Sequence, residues 1–310
     1  MMIYTCTLNP AIDLFIETDH LKPEVVNRTN SYDIQPNGKG VNVSFILKDL
    51  GIDNTALGVG GGFTSKFIEE SLQKEGIKTD FTHIEGISRI NVFTRVLEND
   101  TEFKQVNNGP EVSSQKEAEF LEKVAQIKKG DKLVVSGSFS KGIAPETIVK
   151  ISQMAKEQDF DLIVDTSYPE VVKTLPQNPY LLKPNNEELA SWFDEDGTSD
   201  LDTLVKYSKK LIAKGAQNIL LSIGSKGALF VNKEQVLYGN APKIKVVNTA
   251  CSGDTMLGAF VAGIEQKLSL KDNLKRSIAA ASSTASVSGL TDFSDVNVLM
   301  DQIKITEMEA

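Results

Sequence analysis

Apolar and polar positions along the chain fall into two alternating periods. Residues 2–8, "MIYTCTL", form an unbroken apolar-leaning run, as a strand buried on both faces would. "AIDLFIET" (11–18) is a second short strand, followed by a polar stretch to about Asp33. In "KGVNVSFILKDLG" the spacing of Val41, Phe45, Ile46 and Leu50 predicts a helix that Gly51 ends. A strand at 55–60 and a helix at 65–76, stopped by Gly76, follow. From about Ser113 the periods exchange regularly. Helices at 115–127, 145–158 and 201–215 are interleaved with strands at 132–137, 161–166, 180–185 and 218–224. Residues 227–231 and 234–239 read as a local hairpin. Two helices close the chain, one from Gly253 and one over 274–289. Alternation of this kind predicts an α/β fold with a mostly parallel sheet, doubly wound by helices on both faces.

One segment departs from this rhythm. In "RINVFTRVL" Ile90, Val92 and Val96 fall on one face of a strand and Arg89, Asn91 and Arg95 on the other. "ENDTE" is a turn and "FKQV" runs back. A two-stranded hairpin with one greasy side is not stable alone, so it needs a sheet partner and a second subunit against its apolar face.

Composition narrows the function classes. The 310 residues carry 33 basic and 42 acidic side chains, a net charge of −9 with no long basic run, which argues against nucleic acid or an anionic membrane as partner. A small anionic substrate stays open, because local cations can outweigh the global sign. Only Cys6 and Cys251 are present, without CxxC, so a disulfide framework or zinc site is not expected and a reducing cytoplasm fits. The start shows no signal peptide, and no stretch approaches the roughly 20 apolar residues of a membrane span. With only His20 and His83, a histidine-based triad is poorly supported.

In doubly wound folds ligands bind beyond the carboxyl ends of the strands. The clusters "NPAID", "PNGKGVN", "SGSFSKG", "KPNNEE", "SIGSKG" and "NTACSGD" all fall there, which predicts one composite site. No G-x-x-x-x-G-K-[ST] occurs, and "GVGGGF" lacks the last glycine of G-x-G-x-x-G, so a Walker ATPase or a Rossmann dehydrogenase is set aside. In the last cluster Asp254 stands where a loop becomes a helix. On that motif alone it is equally a helix cap or a proton acceptor beside an anion held by free N–H groups.

The motifs "TLNPAID", "NGKGVN", "RINV", "VSGS", "KPNNEEL", "SIGSKGAL" and "ACSGDTMLGAF", in this order, resemble those of the ribokinase-like sugar kinases of the phosphofructokinase B type. The likeness spans nearly the whole chain. It is greatest to the branch with 1-phosphofructokinases and tagatose-6-phosphate kinases. The resemblance implies a single kinase domain over 1–310, with lid strands inserted at about 10–36 and 87–108 and often mediating a homodimer. It implies ATP and Mg²⁺ as cofactors and a phosphorylated ketohexose (tagatose 6-phosphate or fructose 1-phosphate) converted to a 1,6-bisphosphate. By the same resemblance Asp254 is the catalytic base, and the amides of Cys251, Ser252 and Gly253 hold the transferring phosphoryl group. Asp13, Gly38, Lys39 and Asn42 bind the sugar, and Arg89 with Ser138 clamps its phosphate. Lys183, Asn185, Ser222, Gly224 and Gly227 line the ATP site, while Glu188 and Asn185 bear on Mg²⁺.

Two alternatives remain: a kinase of an unphosphorylated sugar or nucleoside, and a non-catalytic sugar-phosphate sensor. Two residues depart from the family pattern, which has glycine where Asn37 and Cys251 stand. Asn37 is expected to tolerate a left-handed backbone. Cys251 at a helix start is expected to have a lowered thiol pKa and so to be oxidisable.

Overall fold

The computed structural model describes residues 1–308. The first half contains β1 (Ile3–Thr7), β2 (Ala11–Thr18), β3 (Ser31–Asn37), α1 (Lys39–Asp49), β4 (Asn54–Gly61), α2 (Gly62–Lys74), β5 (Lys78–Ile84), β6 (Arg89–Val96), β7 (Thr101–Gln105) and α3 (Ser114–Val124). The second half contains β8 (Lys132–Ser136), α4 (Thr147–Gln158), β9 (Asp161–Asp165), β10 (Leu181–Leu182), α5 (Asn186–Ser191), α6 (Leu201–Lys214), β11 (Asn218–Ser222), β12 (Ala228–Asn232), β13 (Val236–Gly239), α7 (Ser252–Glu265), α8 (Leu270–Ala285), α9 (Val296–Asp301) and β14 (Ile305–Met308).

Ten described strands form the main sheet in the order β14-β13-β12-β11-β10-β9-β8-β1-β4-β5. It is parallel from β5 to β11, then antiparallel through the final hairpin and β14. The strand period of two splits each central strand between two cores. Leu133, Val135, Leu162, Val164, Ile219 and Leu221 pack with α3, α4 and α6, whereas Val134, Ile163, Leu181 and Leu220 pack with α1, α7, α8 and α9. This is the doubly wound architecture the alternation predicts. Among the described residues no helix is long and apolar enough to cross a membrane.

Several short elements escape the sequence reading, among them β5, α5, α9 and β14. β5 has no clean period, because "KTDFTHI" mixes exposed and buried positions at a sheet edge. α9 and β14 follow the two helices expected to close the chain; both are short, and β14 is half exposed.

A second sheet, β3-β2-β6-β7, lies apart from the first as a lid. Cross-strand partners share a face. Leu14 faces Ile34 and Val92, Ile16 faces Tyr32, and Thr94 faces Phe103, so this face is apolar. Asp13 faces Gln35 and Asn91, and Ala11 faces Arg89, on the other. The expected apolar strip of Ile90, Val92 and Val96 is corrected in part: Ile90 packs near α2, and Val96 is buried. The strip that stays open is instead Val92 with residues of β2, β3 and β7, among them Tyr32, Ile34 and Phe103, which are 71%, 44% and 46% exposed.

Close packing fixes the helices that carry the chemistry. A Cβ on Gly40 would lie 2.5 Å from Thr7 Oγ1 and 2.6 Å from the carbonyl oxygen of Cys6, so only glycine lets the first turn of α1 rest on the end of β1. A Cβ on Gly258 would lie 2.6 Å from Ile46 Cγ2, which is how α7 comes against α1.

Candidate active site

The polar clusters do gather at the carboxyl ends of the parallel strands. α1 begins at Lys39 after Gly38, whose φ of 133° suits glycine, and it presents Lys39 to the end of β9 and Asn42 to α7. Asp254 stands in the first turn of α7, only 5% exposed, and its Oδ2 accepts from Asn42 Nδ2 at 2.8 Å. Burial pushes its carboxyl up to about 6, against the pull of Lys39, Asn42 and Lys183 and with the help of the Asp165 charge. An acid poised near neutrality in the first turn of a helix, where the Ser252 N–H makes only a long bond to the upstream Thr249 carbonyl (3.4 Å), matches the demands on a general base beside an anion.

The charges around Asp254 are organised by Asp165, which the sequence reading did not single out. It is fully buried at the end of β9, and its Oδ1 accepts from Lys183 Nζ at 3.1 Å and Lys39 Nζ at 3.2 Å. Burial alone would raise the Asp165 carboxyl; the two lysines outweigh that and hold it below the usual carboxylate range. Lys39 in turn loses some preference for its charge through burial, yet Asp165, Asp254 and Glu188 raise its pKa overall. Lys183 is itself buried, and its Nζ lies 3.4 Å from where a Cβ on Gly253 would stand, so it borders the start of α7. A sequence signal for Asp165 existed: an acid directly after the apolar run Leu162–Val164, at the carboxyl end of the strand.

A cavity of about 270 Å³ opens next to Lys39, lined among others by Thr7, Asn9, Arg89, Ser138 and Glu188. Arg89 donates to the main-chain oxygen of Asn9 through Nε (3.3 Å) and a terminal nitrogen (3.1 Å). Asn9 Nδ2 donates to Ser138 Oγ at 3.1 Å. Asn9 thus ties the lid residue Arg89 to the loop after β8, a role that its place in "TLNPAID" did not reveal. Ser136 and Thr166 line the same cavity and are buried, with hydroxyl oxygens that have no protein partner. Polar groups left open in this way suit a ligand rich in oxygen.

A model of the pfkB family carbohydrate kinases matches residues 6–297. The chain belongs to this family. It is 46% identical to the D-tagatose-1-phosphate kinase of Bacillus licheniformis over 99% of this chain and 100% of that one. It is 34% identical to the 1-phosphofructokinase of Bacillus subtilis, again over 99% and 100%. The crystal structure of phosphofructokinase-2 from Escherichia coli in complex with substrates and products superposes with a TM-score of 0.89 at 26% identity, covering 97% of this chain and 99% of that one. The same enzyme is also known in a tetrameric inhibited form. The pfkB kinases are phosphotransferases, and the four-stranded sheet of this chain is their lid.

Other expected residues take mixed positions. Asp13 is buried on the inner face of the lid, where Asn91 Nδ2 donates to it at 2.8 Å and Asn37 Nδ2 also donates. Burial raises its carboxyl while the two amides and Arg89 hold it down. Asn185 and Glu188 form a reciprocal capping box on α5: the Asn185 side chain accepts from the Glu188 N–H at 2.8 Å, and Glu188 Oε2 accepts from the Asn185 N–H at 2.9 Å. Each therefore caps a helix whatever else it does. Ser222 pairs with Asn185 across neighbouring strand ends. Gly224 faces open space, whereas a Cβ on Gly227 would collide with the carbonyl oxygen of Gly239 at 1.9 Å, so Gly227 shapes the turn itself.

Both departures from the family pattern behave differently from expectation. Asn37 is not left-handed; it ends β3 in extended backbone and works through its side chain. Cys251 does occupy the left-handed region, with φ 63° and ψ −7°. Its thiol is pushed up to about 12 by burial and by the Asp254 and Asp13 carboxylates, which overrides the lowering expected at a helix start. The thiol is therefore protonated at neutral pH and a poor nucleophile. Treatment with iodoacetamide at pH 7.5 is expected to leave activity intact for hours, and rapid loss of activity in wild type but not in Cys251→Gly would contradict this. The same variant should gain up to about 1 kcal/mol in thermal unfolding, because the relieved strain exceeds the added unfolded-state entropy.

Proposed function

We propose that the chain transfers the γ-phosphoryl group of ATP to a ketohexose monophosphate, giving a 1,6-bisphosphate. The observation that carries the reading is Asp254, a buried carboxylate with a raised pKa at the start of α7, next to two lysines and a cavity edged by Arg89. Asp254 accepts the proton of the sugar's primary hydroxyl as that oxygen attacks phosphorus. Catalysis is otherwise positioning and charge neutralisation. The N–H groups of Cys251, Ser252 and Gly253 and the Lys183 ammonium face the oxygens of the moving group. Arg89, Ser138 and Lys39 take the phosphate already on the sugar, and Ser222 and Gly224 border the nucleotide.

The residues present fit Mg²⁺. That ion keeps several waters and uses one or two carboxylates with substrate phosphates. Glu188 lines the cavity, and Asp165 Oδ2 is buried without a partner. Among the described residues no group of three His, Cys, Asp or Glu side chains that could hold a metal ion gathers. When bound, Mg²⁺ would neutralise charge on the phosphates.

Relatives named for D-tagatose 1-phosphate and for fructose 1-phosphate share a phosphate at O1 and an acceptor at O6, and we place this regiochemistry first. Tagatose 6-phosphate, with O1 as acceptor, is the second reading. A kinase of unphosphorylated sugars or nucleosides would leave Arg89, Lys39 and Ser138 without a ligand, and a sensor would have no use for the raised pKa of Asp254. The setting we infer is cytoplasmic, in keeping with two free cysteines.

We also assign the open face of the lid to a second copy of the chain, since Tyr32, Ile34 and Phe103 expose more apolar surface together than isolated side chains do. Sedimentation at micromolar protein should give a homodimer; a monomer alone would sink the assignment. ADP release measured across fructose 1-phosphate, tagatose 1-phosphate, tagatose 6-phosphate, fructose and adenosine should show turnover on phosphorylated ketohexoses and none on the last two. Asp254→Asn should lower that turnover by at least about 10². Its melting temperature should not fall, because a neutral amide escapes the burial penalty on the carboxylate. Near-wild-type turnover in this variant would remove Asp254 from the base role.

A further inference from the structure

Asn37 is bonded at both ends of its side chain. Nδ2 donates to Asp13, while Oδ1 accepts from the Gly38 N–H and, at 3.1 Å, from Asn42 Nδ2. Asn42 gives its shortest bond, 2.8 Å, to Asp254. Asp13 accepts from Asn91 Nδ2 through its other oxygen, and Asn91 Oδ1 accepts from the Asn107 N–H at 3.2 Å. The result is an unbroken run of side chains, Asp254–Asn42–Asn37–Asp13–Asn91, from the base to the lid. Arg89 lies two residues before Asn91 on the same face of β6. A sugar whose acceptor hydroxyl sits at Asp254 and whose phosphate sits at Arg89 must lay its ring along this run.

Asp13 is the acceptor that the ring hydroxyls meet there. An ionised carboxylate offers about four lone-pair directions. One on each oxygen is taken by an amide, Asn91 on one side and Asn37 on the other. Two amides on opposite oxygens fix the plane of the carboxylate, so the directions left for a ligand are fixed as well. With Asn91 alone the carboxylate could turn about its Cβ–Cγ bond and follow a hydroxyl of either configuration.

We propose that Asn37 is a specificity-determining residue, which locks Asp13 so that the site distinguishes ketohexose phosphates by the configuration of a ring hydroxyl. The proposal rests on the reading of the chain as a ketohexose monophosphate kinase. Fructose and tagatose differ only at C4, so their 1-phosphates are the probes that read it: phosphate and acceptor hydroxyl are the same, and only the hydroxyl presented to the Asp13 region is inverted.

The experiment measures kcat/KM for fructose 1-phosphate and tagatose 1-phosphate, and KM for ATP, in wild type, Asn37→Ala and Asn37→Asp. Wild type should favour one epimer. Asn37→Ala should lower kcat/KM for that epimer about tenfold, the scale of one hydrogen bond, and mainly through KM. The disfavoured epimer should change by less than about threefold, and KM for ATP by less than about twofold, since neither depends on the orientation of Asp13. Asn37→Asp keeps an acceptor for the Gly38 N–H and Asn42 but sets a second carboxylate against Asp13 in place of the donor; at about pH 8, with both ionised, their repulsion turns Asp13 out of its fixed plane, so the epimer ratio should fall as well. Equal efficiency on the two epimers in wild type overturns the proposal. So does an unchanged epimer ratio in both variants, or a uniform fall for both epimers together with a shifted KM for ATP, which marks a merely structural residue. Transfer to neither epimer by wild type overturns the ketohexose 1-phosphate reading, and the proposal with it; where wild type does transfer, the epimer ratios alone decide the role of Asn37.

Discussion

The site is organised by one buried carboxylate shared between two ammonium groups. Asp165 has no exposed surface, and a charge so placed is tolerated only when paired. Its partners, Lys39 and Lys183, come from separate parts of the chain: one from the first turn of α1, the other from the strand end before α5. Their shared anchor holds two positive charges close to Asp254 without quenching both. That arrangement explains why burial raises the Asp254 carboxyl only to about 6 rather than abolishing its charge. It also leaves cationic groups where phosphates of both substrates would meet.

Packing supports the electrostatics. Lys39 and Asn42 belong to α1, and Asp254 belongs to α7. The 2.8 Å bond between Asn42 and Asp254 exists because the two helices touch at Gly258 and Ile46, and because α1 settles on β1 at Gly40. The apolar contacts of α1 and α7 that bring Val43, Leu47, Leu257 and Val261 into one core therefore also determine where the polar first turns meet. Fold and chemistry share these residues, and a change in the core at Gly258 would be felt at the base.

Much of this was legible in the sequence. Strands buried on both faces and amphipathic helices announce themselves by period, and the polar clusters at strand ends foretold a composite site that the structure does assemble. What stayed hidden was of three kinds. Edge elements such as β5 and β14 lack a clean period because half their positions face solvent. Residues whose role comes from a distant partner, such as Asp165 between its lysines and Asn9 under Arg89, show at most an acid or amide at a strand end, with nothing nearby in sequence to name the partner. Finally, Asn37 and Cys251 read as backbone substitutions for glycine, whereas the side chain of Asn37 joins Asp13 to Asn42, and the surroundings of the Cys251 thiol set its protonation.

The central claim is that the Asp165 cluster leaves Asp254 with a carboxyl that titrates near neutrality in the free enzyme. Burial raises this group above its unfolded value, so it should hold its proton below about pH 6 and release it above. An infrared titration of the ligand-free protein between pH 5 and 8, taken as the difference between wild type and Asp254→Asn, reads that proton directly through the carboxylic C=O stretch. The expected result is a band that disappears with an apparent pKa of about 6 in wild type and has no counterpart in the variant. A difference spectrum that shows Asp254 ionised throughout this range would contradict it.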